Sequence, residues 1–129
     1  MNEYKDESIH FWIEEGILKS EFLKSVVLDL DFCEKIINIR HQVSNNEKQY
    51  WLYDFRNVAD MTTEGRKYAE KYGQDNLHAT AAIVNSHLTK FIVNLFRKIN
   101  NPRIPFRAFK DMQEALEWLK DIKKENENG

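Results

Sequence analysis

Residues 50 to 55 read Tyr-Trp-Leu-Tyr-Asp-Phe, and no other stretch narrows the fold of this chain as much. Six residues rich in rings, with loop chemistry on both sides, suit a strand far better than a helix. At a period of two, Tyr50, Leu52 and Asp54 share one face, and Trp51, Tyr53 and Phe55 share the other. Two arrangements fit. Either helices cover both faces and the rings are core, or one face stays open and Trp51 and Tyr53 join Trp12 in an exposed aromatic interface. A polar turn follows the strand, and then a helix start at Thr62. Strand, turn and helix N-terminus, in that order, make the usual place for a ligand or regulatory contact in an α/β domain.

The other segments fall around this one. Ile9, Phe11 and Ile13 alternate with His10, Trp12 and Glu14, which reads as a half-buried strand. Glu15 and Gly16 then turn the chain into a second strand, ILKSEF, closing a hairpin. A short apolar run, Val26 to Leu28, leads to Asp29 and Asp31, either of which caps a helix carrying Phe32, Cys33, Ile36, Ile37, Ile39 and Val43. That helix fades at Ser44, Asn45 and Asn46. The second helix runs from Thr62 to Gly73, the glycine placed to end it. His78 to Val84 reads as an interior strand of small residues. Asn85 or Ser86 opens a third helix with the stripe Leu88, Phe91, Ile92, Leu95, Phe96 and Ile99. The prolines of residues 100 to 105 break it. Phe106 to Phe109 makes a last strand, and Asp111 caps a last helix whose stripe is Met112, Ala115, Leu116, Leu119 and Ile122. Helices alternating with strands after a hairpin imply an α/β fold: a mixed sheet of about five strands, later ones parallel, packed with four helices.

Composition excludes several functions. With 129 residues and no dividing linker, the chain is expected to form a single domain over 1–129, with loose termini at 1–7 and 124–129. A net charge of -2 argues against nucleic acid as a partner. No apolar run nears the roughly 20 residues of a membrane-spanning helix. The acidic start and the lone cysteine, Cys33, make a cytoplasmic protein the default. Histidines 10, 41, 78 and 87 show no helical metal spacing, so no metal is expected. The four glycines build no phosphate loop, so no cofactor is expected either. Ser86 followed by His87 lacks the G-x-S-x-G elbow of a hydrolase, and no catalytic residue is assigned. Arg97, Lys98, Arg103, Arg107 and Lys110 form the one basic patch, read as a solvated face.

The run Val58, Ala59, Asp60, Met61, Thr62, Thr63, Glu64, Gly65 resembles the turn V-x-x-M/I-D-S-S/T-G of the STAS family, the anti-anti-sigma-factor-like domains of SpoIIAA-like fold. The spacing of Asn94, Phe96, the prolines at 102 and 105 and Phe109, followed by A-L-E-W-L at 115 to 119, looks like a group of uncharacterised bacterial STAS-like domains. The resemblance covers residues 8 to 122. It implies a regulatory module without enzymatic activity, binding a protein partner or a second copy of itself. Regulatory members carry a phosphorylatable hydroxyl at this helix start. Here the family's Asp falls on Thr62 and its Ser pair on Thr63 and Glu64, leaving Thr63 as the candidate phosphoacceptor and Glu64 as a built-in negative charge.

The partner site is therefore expected at Thr62, Thr63, Glu64 and Gly65, with Asp54 as a neighbour from the end of the aromatic strand. A second reading makes the protein a carrier of a small apolar ligand or lipid, similar to CRAL-TRIO proteins. The third, an unrecognised hydrolase, has the least to stand on.

Overall fold

The computed structural model describes residues 2–85 and 104–128. The chain opens with β1 (Glu3–Lys5), β2 (Ile9–Glu14) and β3 (Ile17–Phe22), an antiparallel meander. Glu15 and Gly16 both take positive φ, 56° and 74°, as a tight two-residue hairpin requires. Then come β4 (Val26–Leu28), α1 (Leu30–Ser44), β5 (Gln49–Asp54), β6 (Val58–Met61), α2 (Thr63–Tyr72), β7 (Leu77–Ile83), β8 (Phe106–Phe109) and α3 (Met112–Asn128). Six strands form one mixed sheet in the order β1-β2-β3-β5-β7-β8, parallel from β3 onward. β4 and β6 pair with each other in a separate parallel ribbon.

The mixed α/β architecture and the parallel later strands match expectation, but the counts do not. The main sheet has six strands rather than about five, with the β4–β6 ribbon in addition. Residues 1 to 7, expected to be loose, contain β1, whose one apolar side chain, Tyr4, is too little to give an alternating pattern. Val58 to Met61, read as turn, is strand β6, with two of its four residues exposed. Three helices are found among the described residues. The helix expected between 86 and 99 lies outside them, as do Ser86, His87, Arg97, Lys98 and Arg103. At the other end α3 extends through the segment expected to be loose after 124, its last residues exposed.

Helices flank both faces of β5, and this settles where the aromatic strand sits. Trp51, Tyr53 and Phe55 face α1 and pack with Cys33, Ile36, Ile39 and Val43. Their rings stack in sequence, Trp51 on Tyr53 and Tyr53 on Phe55, each at 4.3 Å. Tyr50 and Leu52 face α3, against Ala115 and Leu119. Trp51 and Tyr53 are thus 4% and 7% exposed, and the open aromatic interface is corrected to core. Burial, with a smaller contribution from Cys33, pushes the Tyr53 hydroxyl well above its usual pKa. Trp12 remains half-exposed, stacked on His10 at 4.4 Å on the outer face of the hairpin. Met112, expected in the buried stripe of the last helix, is exposed.

Polar groups pin the ends of these elements. Asp29, not Asp31, caps α1, its carboxylate accepting from Phe32 N at 2.8 Å. Asp6 holds the turn between β1 and β2. It accepts from the Ser8 and Ile9 amides (2.8 and 2.9 Å), from the Tyr4 hydroxyl (2.8 Å) and from Lys35 Nζ on α1 (2.7 Å). Burial would raise the Asp6 carboxyl, but these four donors outweigh it and hold the group well below the usual carboxylate range. A folded pKa below the unfolded value of about 3.9 stabilises the protein fully above that pH and progressively less as pH falls toward the folded value. Asp6→Asn is expected to lose about 1–2 kcal/mol at pH 7. Urea unfolding of both proteins at pH 7 and pH 3 should show that gap shrinking at pH 3.

Candidate functional site

β4 and β6 each leave the main sheet after a three-residue loop and lie past the carboxyl ends of β3 and β5. Asn57 anchors the ribbon: its side chain donates to Phe22 O at 2.7 Å, and its carbonyl accepts from Val26 N at 3.0 Å. Each ribbon strand runs straight into a helix, so α1 and α2 begin side by side. The contact is close. Thr62 N donates to Leu28 O at 3.1 Å, and a Cβ built on Gly65 would sit 2.2 Å from that same oxygen. Glycine at 65 is therefore required by the backbone of β4, a neighbour distant in sequence.

The expected site residues separate in this frame. Thr62 is the N-cap of α2, its hydroxyl accepting from Gly65 N at 3.0 Å. Thr63 and Glu64 are exposed in the first turn, where the acid also complements the helix dipole. Gly65 is buried under the contact just described and can touch no partner. Asp54 does not join them. Strand alternation turns it to the face opposite Tyr53 and Phe55, away from Met61 and Leu28. There it is buried, bonded by Arg56 through N, Nε and Nη2 at 2.7–3.1 Å. It is a turn-fixing aspartate.

Sequence reasoning missed what surrounds the helix start. Leu23, Val27 and Leu30 are 40%, 47% and 38% exposed, three of the four large apolar side chains so exposed among the described residues. Val27 pairs in register with Asp60, so the apolar residue and the acid lie side by side on the ribbon. Asp29, Asp31, Asp60 and Glu64 are all exposed here. Exposed apolar and acidic side chains therefore alternate along the ribbon and the two helix starts.

Arg40, also missed, ends α2. It is 1% exposed and donates to the carbonyls of Gly73 (2.8 Å), Asp75 (2.6 Å) and Tyr72 (3.5 Å), with its guanidinium 4.9 Å from the Trp51 ring centre. Burial lowers its pKa to about 10, still well above neutrality. The cation supplies the donors that the last carbonyls of a helix lack. Gly73 ends α2 as expected, in right-handed conformation with φ of -67°, and the left-handed residue that follows is Asn76 (φ 59°).

Beneath α2 lies a cavity of about 70 Å³, between the helix pair and the Trp51–Tyr53–Phe55 ladder. Cys33, Ile36, Met61, Ala69 and Phe106 line it further. Burial pushes the Cys33 thiol up to about 12, so it is no nucleophile at neutral pH. Ligand pockets are commonly about 300–1,000 Å³, so this space is too small for a lipid. An open groove of about 500 Å³ at the opposite end of the sheet is of mixed polarity, with Tyr50 bonded to Asn126 and stacked on His78. Among the described residues, no three His, Cys, Asp or Glu side chains converge to hold a metal. None of the described helices is long and apolar enough to cross a membrane.

A six-stranded mixed sheet, helices on both faces and a capped helix start past the central strand define the SpoIIAA-like class of α/β domains. The same fold is seen in the crystal structure of an uncharacterized DUF3478-family protein from Shewanella loihica PV-4. The two superpose with a TM-score of 0.63 at 16% identity, covering 90% of this chain and 97% of that one. The chain belongs to the family described as "domain of unknown function (DUF7793)", whose model matches residues 11–123. No curated protein matches the sequence.

Proposed function

We propose that the protein is a non-enzymatic, STAS-like binding module of the cytoplasm that meets a protein partner, or a second copy of itself, at the β6–α2 corner. The observation that carries this reading is the exposure of Val27, in register with Asp60 on β6, and of Leu30 at the start of α1, on the strands and helix that flank Thr62–Glu64. Exposed apolar side chains rimmed by charge are the usual composition of a contact surface. The SpoIIAA-like fold supports it at the level of class. Within this reading Thr63 is the hydroxyl open to phosphorylation, since that of Thr62 already accepts from Gly65 N. A phosphate there would gather charge beside Asp60 and Glu64 and oppose an acidic partner. The carrier alternative finds only the small cavity in its favour.

Affinity capture with the intact chain tests the proposal. A protein, or a tagged second copy, should be retained by the wild type and lost with Val27→Asp and with Glu64→Lys, while circular dichroism stays unchanged. Both positions are exposed, and Glu64→Lys should lower stability by only about 0.3–1 kcal/mol through the helix dipole. Retention undiminished in both variants would place the contact elsewhere.

A further inference from the structure

Helix α2 is fixed at its two ends, with Tyr68 packed against the core between them. Its start is wedged against Leu28 O by Gly65, and its end is clamped by Arg40. Of its ten residues only Gly65 is fully buried. Ala69, midway along, is half-buried and borders the 70 Å³ cavity.

We propose that this cavity is a binding site for a small neutral apolar molecule, of about two to four non-hydrogen atoms, and that filling it firms the seat of α2. Size and chemistry set the class of ligand. Gln74 and Thr80 also border the space, but the surface that the lining presents is almost wholly apolar, and a stable water needs two to four polar partners. None of the described lining residues is charged, which favours a neutral occupant. The volume of about 70 Å³ favours a small occupant over an acyl chain or a larger ring. An apolar occupant would restore the dispersion contacts that Ala69 and the aromatic ladder lack on that side. Because Met61 and Leu28 line the same space, the occupant would also press on the strands that lead into α1 and α2.

Dissolved xenon and n-butane are the probes, read by amide chemical shifts and hydrogen exchange on the full chain. The expected result is a saturable shift at Cys33, Tyr53 and Ala69. Exchange of the α2 amides should slow about threefold at a probe concentration of twice Kd. Ala69→Leu, and the smaller Ala69→Val should leucine not fold, are expected to weaken both responses by filling the space. Absence of a saturable shift overturns the proposal, as does a shift undiminished in the folded filled variants. Decanoate binding the same residues more tightly than butane overturns the size class. The proposal stands apart from the partner reading: a protein captured at the corner while the cavity takes up no probe defeats the cavity alone.

Discussion

Arg40→Met should lower the unfolding free energy by about 3–4 kcal/mol and the melting temperature by roughly 10–15 °C. Methionine fits the apolar surroundings of α1, so the loss comes from the carbonyls. Gly73 O and Asp75 O lose near-ideal donors, Tyr72 O a longer one, and the negative end of the α2 dipole loses its cation. Arg40→Lys should recover little, because a single ammonium on a flexible stem cannot reproduce the planar fork or its contact with Trp51. Chemical denaturation of the three proteins checks this. A wild-type-like lysine variant would show that charge alone, rather than the geometry of the fork, ends the helix.

Gly65→Ala should follow closely, losing about 2–3 kcal/mol. Alanine is worth about 1 kcal/mol more than glycine inside an exposed helix, so a stabilised variant would be the default expectation. The 2.2 Å approach to Leu28 O reverses that sign, since a backbone oxygen cannot swing aside. The start of α2 must then lift, breaking the bond from Thr62 N to Leu28 O. Thermal melting gives the magnitude. Faster exchange of the Thr62 and Gly65 amides would show that the helix start is the part displaced.

Much of this was legible before any coordinates, for identifiable reasons. The aromatic strand, the Glu15–Gly16 turn, the Thr62 cap and the stripe of α1 are local signals, written in residues a few positions apart. What escaped depends on distant neighbours. Gly65 reads as part of a motif, and only β4 reveals why nothing larger fits. Arg40 shows the same limit, although a signal was present: it lies seven residues after Cys33 and three before Val43, on the apolar stripe itself. A charge at a core position of a helix announces a buried partner, here the end of α2. Asp54 was placed beside Thr62 by closeness in sequence, against the alternation that already set it on the other face. β1 and β6 escaped because three or four residues with one or two inward side chains carry no period. Leu23, Val27 and Leu30 escaped because exposure is a property of the fold and not of leucine or valine.

The parallel half of the sheet also governs how the chain reaches its native state. β2 meets β3 across a two-residue turn, whereas β3 finds β5, and β5 finds β7, only after residues 23–48 and 55–76 have been gathered in. Loops of that length must close before their contacts return any stabilisation, so assembly should be slow, with the early hairpin waiting as a template. During that wait the Tyr50–Phe55 strand is the segment most prone to meet the same strand of another molecule, and dilute, rapid refolding should give the best yield.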